Sequence, residues 1–408
     1  MTGTLGENVR KHRRRSGLSQ ERLAEAAGLS VGTVRKVEQG KSVEMATLHA
    51  LARGLAVPTS ELLAADAPEP VDGDDPNRLH LVALRKALTP PVGLVPIGRP
   101  RDEAPDLSGL ERSVVELGRL YHADRYQSVA QRLPQLVAAA NRVADRDDPD
   151  RALVARSQVL ELAGRFLTQT RQYDLAYQAL AGAITDARNA GDDMTAASGV
   201  NGLAWLLLRQ GRFDDAESLA ATTAEVVEPR VSQARPERLA AWGWLALRAA
   251  AAAARNNRPA EAEEYQRVAM TAAVAVGGEY HDPRHPWSRF GPVTVAMKAV
   301  EAVVITGDAR GALRQSDEGP LSAYGRRRAG RPNSDNWHRH RLDVAQAHTV
   351  LGYHQQAMDE LAYVRARSPE WLRHQTMARS VLRDVLRKRK RTLTGEMRDM
   401  AVFLDVTG

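Results

Sequence analysis

Residues 18–41 constrain this chain more tightly than any other stretch. Ser19 has the short oxygen-bearing side chain that caps a helix, and Leu23 and Ala27 follow at helical spacing. Gly28 can take the positive φ that ends a helix, and Ser30 can cap the next one. Val34 and Val37 then face back toward the first helix, which leaves Thr33, Arg35 and Lys36 nearer the outside. The stretch predicts two short helices joined by a tight glycine turn.

These residues resemble the helix-turn-helix domains of the Cro/phage-repressor (XRE) family, over roughly residues 5–63. The resemblance implies a five-helix domain that binds double-stranded DNA, with a recognition helix over about residues 30–39 lying in the major groove. It puts Gln20 on a phosphate and Val31, Gly32 and Lys36 toward the bases, and it pairs Arg13 with Glu38. Val31 and Gly32 offer a base no hydrogen bond, so direct readout falls to Arg35, Lys36 and Thr33; Ser30, Lys41 and Arg14 join Gln20 as phosphate contacts. Two departures from the family pattern concern stability. Helix four begins at Val43-Glu44 in place of Pro-Ser, and Ala56 stands where a glycine is usual, with Gly54 two residues earlier.

Charge supports a polyanionic partner. Residues 1–65 hold ten Lys/Arg against six Asp/Glu, a balance of +4 on a small domain, whereas the whole chain of 408 residues carries only +7. Arg13-Arg14-Arg15 is either a solvated helix end or part of a phosphate-contacting face.

The length leaves room for at least one more domain. Residues 66–106 are rich in Asp and Pro, which predicts a linker with one short helix near 78–88. Residues 107–408 are predicted as helical hairpins. Val129, Ala176, Ala216, Ala262, Ala312 and Ala357 follow similar turns, at spacings of 47, 40, 46, 50 and 45 residues. A small side chain there lets the second helix of a pair sit close on the first. The pattern resembles tetratricopeptide (TPR) repeats with lengthened helices, so the fold class is all-α, a helix-turn-helix domain followed by a TPR-like solenoid. Its expected core includes Leu160, Phe166, Leu180, Leu203, Leu207, Leu219, Leu245, Val303, Leu313, Val350 and Leu361. Two insertions, Gly277 to Pro292 and Ser316 to Trp337, interrupt it, the second being a mobile or an anion-binding loop.

In outline the chain resembles XRE regulators whose TPR domain receives a signal, such as the RRNPP peptide receptors. That likeness implies a homodimer whose solenoid senses a peptide or small molecule. The ligand candidates each have a plainer alternative. Asn201, on a helix with Trp205, can face a peptide backbone or pair within the stack. Trp242 and Trp244 lie two apart, so at most one is core, and Trp242 can line a groove or be a half-exposed packing residue. Trp287, Arg289 and Phe290 belong to a Trp-x-x-Phe-Gly-Pro run that is either a ligand loop or a proline-pinned packing loop. Arg341 can meet a ligand or lie on a solvated helix start, and six basic residues from Arg383 to Arg391 form a capping helix or a nucleic-acid contact.

The chain has no cysteine, no phosphate loop, nucleophile elbow or HExxH motif, so neither catalysis nor a cofactor is expected. His281 and His285 are four apart, but Pro283 and Pro286 forbid the helix that would align them on a metal. With no signal peptide or long apolar run, the expected compartment is the cytoplasm, with no membrane partner. Two other readings remain at this level: a DNA-anchored module that grips a partner protein, and a constitutive regulator without a ligand.

Overall fold

The caps written in the sequence form as the chain requires. The computed structural model describes residues 5–41, 43–63, 81–90, 106–143, 148–281, 289–388 and 393–406. The first five helices are α1 (Leu5–Arg15), α2 (Gln20–Ala26), α3 (Val31–Glu38), α4 (Met45–Leu55) and α5 (Thr59–Leu63). The Ser19 hydroxyl accepts from the Arg22 amide at 3.1 Å, and Ser30 accepts from Thr33 at 3.1 Å. Gly28 ends the α2 turn at φ +64°. Val9, Leu23, Val34, Val37, Leu51, Leu55 and Leu62 close a small core between these helices. At Gly6 a Cβ would lie 2.5 Å from the Val37 carbonyl oxygen, so α1 presses directly on α3.

The predicted linker falls mostly outside the described residues, except for α6 (Val82–Leu88), which buries Leu84 against the next helices. Six helical hairpins follow. They are α7 (Leu107–His122) with α8 (Tyr126–Val143), α9 (Pro149–Gln169) with α10 (Tyr173–Asn189), and α11 (Asp193–Arg209) with α12 (Phe213–Val227). Next come α13 (Pro236–Arg255) with α14 (Pro259–Val276) and α15 (Pro292–Thr306) with α16 (Ala309–Ser316). After the short α17 (Ala323–Ala329), the last pair is α18 (Ser334–Val350) with α19 (His354–Arg367). The chain then runs through α20 (Pro369–Arg373), α21 (Thr376–Lys388) and α22 (Gly395–Leu404). Val129, Ala176, Ala216, Ala262, Ala312 and Ala357 all lie in the first turn of a second helix, and all are buried.

This helical-repeat-like region does not stay open. Its end returns to its beginning: the Gln127 amide donates to Glu370 at 2.9 Å, Gln375 donates to Gln169 at 3.3 Å, and Ser334 donates to the His122 carbonyl. Tyr126 stacks on His374, and one apolar core runs from α6–α11 into α18–α22. The hairpins therefore close into a ring, lined by the first helix of each pair.

Several expectations change. Trp242 and Trp244 are both buried, because α11, α12, α14 and α15 pack around α13 and cover both rings. Val350, expected in the core, is the last residue of α18 and is exposed. Part of the first insertion forms an antiparallel pair, β1 (Tyr280–His281) with β2 (Arg289–Phe290). The second carries α17, with Arg326 lying 5.0 Å over the Trp337 ring, in place of an open loop. In the basic tail, Arg383 pairs with Glu44 and Arg387 with Asp384, while 389–391 lie outside the described residues. No described helix is long and apolar enough to cross a membrane.

Candidate nucleic-acid interface

A buried ionic knot sets the angle of α3. Arg13 on α1 donates to both oxygens of Glu38, at 2.5 and 3.1 Å, and Gln20 on α2 donates to the same carboxylate at 2.8 Å. Arg10 reaches the Glu38 carbonyl at 2.8 Å. Burial pushes the Glu38 carboxyl up, but the bonds from Arg13 and Gln20 and the charges of Arg13 and Arg10 outweigh it and hold the group below the ordinary carboxylate value. Glu38 is thus a fixed anion that ties three helices together at the end of α3.

The outer face of α3 is left cationic. Gly32, Arg35, Lys36, Gln39 and Lys41 are exposed. Lys36 and Lys41 have no charged partner among the described residues, so their ammonium groups stand ready for an incoming anion. Arg35 folds back, donating to Gln20 at 3.2 Å and to Glu21 at 3.4 Å. Ser30 and Thr33 share a hydroxyl contact of 2.8 Å, while Val31 is half-buried beside the α2 turn. Gln20 therefore spends its amide on Glu38 and Arg35. The predicted base-facing residues lie on α3, and Gln20, Ser30 and Lys41 lie beside it. Arg14 stands apart on α1, in a strip with Arg10, Lys11 and Arg15. Gln39, exposed at the C-cap of α3, was not singled out from the sequence; its amide at a helix end carries no periodic signal.

The opposite face of the domain, α4–α5, is docked on the ring. The Thr59 hydroxyl donates to the Arg255 carbonyl at 2.6 Å, and the Ser60 amide donates to Asn256 at 3.0 Å. Arg53 donates to the Ile305 carbonyl, and Glu44 takes bonds from Ser380 and Arg383. His49 is sealed between Phe213, 5.6 Å away ring to ring, and Thr59. Burial, with Arg255 and Arg53 close by, pulls its pKa down to about 3, so the imidazole sits here neutral. Docking through α4–α5 leaves the cationic side of α3 outside.

The predicted ligand residues are scattered. Asn201 is buried and accepts from Arg248 Nε at 2.7 Å; Trp205, half-buried nearby, has the Arg248 guanidinium 5.9 Å from its ring. Trp242 belongs to the buried apolar cluster that also holds Leu245, Ala269, Ala272 and Phe290. Phe290 is fully buried, its ring filling the space a side chain at Gly243 would need. Arg289 donates to the Arg331 carbonyl at 2.9 Å, and Trp287 lies outside the described residues. Arg341 is held by Glu360 between the Trp337 and Tyr363 rings. Asn201 and Trp205 lie together beside Arg248, whereas Trp242, Phe290 and Arg341 are packed among other side chains.

Residues 4–65 match the family described as helix-turn-helix domain. A comparison with curated proteins found no match to the chain. The N-terminal domain is an XRE-like helix-turn-helix domain, and a helical-repeat-like region follows it.

Proposed function

We propose that the protein is a sequence-specific transcription regulator, a homodimer whose ring of hairpins senses a small signal and alters how α3 meets DNA. The observation that carries this reading is the exposed Arg35 and Lys36 on α3 with Lys41 just beyond its end, in a domain otherwise docked by its far side. Lys36, with Arg35 and Thr33, reads base edges; Gln20, Ser30, Lys41 and Arg14 hold phosphates. Two copies would read half-sites about 34–36 Å apart on one face of the duplex. In this scheme the protein catalyses no reaction and needs no cofactor.

The test is a footprint on the DNA upstream of its own gene. Lys36→Ala is expected to weaken specific binding by about 1–3 kcal/mol and to relax one base position, leaving non-specific binding nearly unchanged. A footprint of unchanged sequence and affinity would show that Lys36 reads no base.

A further inference from the structure

The inner helices of the ring carry polar stripes at four-residue spacing: Glu161 and Arg165 on α9, Asn201, Trp205 and Arg209 on α11, Trp244 and Arg248 on α13, Asp335, Arg339 and Asp343 on α18. With Arg255, Lys298 and Glu301 they make six cations and four carboxylates. Most are paired. Arg165 donates to Glu161 at 2.8 Å, Arg255 and Lys298 hold Glu301, Arg339 lies 3.4 Å from Asp343, and Asp335 faces His122.

Arg209 and Arg248 are left over. Among the described residues neither has a carboxylate partner, and the Arg209 Nε has no hydrogen-bond partner. Arg248 spends its Nε on Asn201 and lies 5.1 and 5.9 Å from the Trp244 and Trp205 rings. Both keep some accessible surface, as side chains facing an interior space do. Burial nonetheless lowers both pKa values, Arg248 to about 9 with Arg165 adding to the effect, and Arg209 with Arg339 and Arg255 nearby. A cation so placed is costly unless an anion joins it.

We propose that the ring interior binds a small organic anion, a carboxylate or phosphate bearing a flat apolar portion, with Arg209 and Arg248 supplying the unbalanced positive charge and Trp205 beside the apolar part. Six cations against four carboxylates leave the interior with two positive charges that an anion would balance. Closure of the ring by α7–α9 meeting α18–α20 disfavours a long chain. This inference rests on the sensing role proposed above. The site adjoins the docked domain, because Arg255 holds Glu301 with its guanidinium and the Thr59 hydroxyl with its carbonyl.

The test is thermal unfolding of the full chain at constant ionic strength, with sodium benzoate, inorganic phosphate or neutral benzamide against chloride alone. Benzoate or phosphate is expected to raise Tm by about 2 °C or more, and benzamide not to. A shift with benzoate alone assigns a carboxylate ligand, and a shift with phosphate assigns a phosphate. Arg209→Gln is expected to melt at or above the wild-type temperature in chloride, since it removes an unpaired buried cation, and to lose the shift. Arg248→Lys keeps the charge and a reduced shift. The proposal is overturned if neither anion acts, if benzamide acts equally, if the shift survives in Arg209→Gln, or if that variant melts several degrees low. Anion stabilisation that persists in Lys36→Ala but never changes DNA affinity keeps this site and removes the sensing reading.

Discussion

The helix-turn-helix domain and the ring use the same device and finish it differently. In the first, one buried carboxylate, Glu38, gathers Arg13, Arg10 and Gln20 and fixes three helices. In the second, Glu301 gathers Arg255, Lys298 and Arg339 and fixes α13, α15 and α18. The small domain sends its surplus cations outward as Lys36 and Lys41, where water solvates them at little cost. The ring keeps its surplus, Arg209 and Arg248, inside. The cations gathered by Glu38 and Glu301 build the fold, whereas Lys36 and Lys41 face solvent and Arg209 and Arg248 an enclosed space, and of these two arrangements only the second costs stability.

The sharpest way to break the first half of that contrast is Glu38→Gln. The Glu38 side chain is 2 % exposed and that of Arg13 only 12 %, so the substitution strands a guanidinium with little water to replace its partner. A loss of about 3 kcal/mol is expected, read from urea unfolding of the full chain. Specific DNA binding should fall with it, because the end of α3 loses its tie to α1. A loss within about 0.5 kcal/mol would mean that the knot merely accompanies the apolar core.

Acid should separate the two regions, next in size. His49 sits neutral with its pKa depressed to about 3, while a released α4–α5 face would restore the usual value near 6.5. The released state then binds the extra proton, so docking is fully favoured above about pH 6.5 and weakens as pH falls toward 3. At pH 5 the loss is about 2 kcal/mol for this group. His122 and His340, depressed to about 4 and 3 inside the ring, act in the same window on the ring itself. Hydrogen exchange of the α4–α5 amides against pH, corrected for intrinsic rates, isolates the first effect. His49→Gln should flatten that profile; an unchanged slope would move the effect to the ring.

The helix-turn-helix domain was legible because its signals are local. Ser19, Gly28 and Ser30 act within three or four residues of themselves, and the structure places each cap as expected. The hairpins were legible for a related reason, since a small residue must recur wherever a second helix closes on a first. Ring closure and domain docking were not. They depend on pairs such as Gln127 with Glu370 and Thr59 with Arg255, whose partners lie far away in the chain and give each other no periodic signature. The ligand candidates from sequence were chosen by residue type, which favoured aromatics such as Trp242 and Phe290 that the core consumed. A better signal was present in the four-residue polar stripes on first helices, where Asn201 and Trp205 share a face with Arg209.

The smallest expected effect concerns α4, the helix that carries the docked face. Its C-cap is Ala56, left-handed at φ 53° and ψ 42°, a region that costs a residue with a Cβ about 1 kcal/mol or more. Ala56 is exposed, so its methyl group recovers little by packing. Ala56→Gly should therefore relieve the strain, while the freer unfolded chain gives part of the gain back. The net is expected at about 0.5 kcal/mol in favour of the variant, seen as a higher midpoint in urea with an unchanged slope. Because the residue touches neither α3 nor the ring interior, DNA affinity and anion response should stay as they are. A variant that gained stability and lost DNA response would show instead that strain at this cap holds the docked face in its working position.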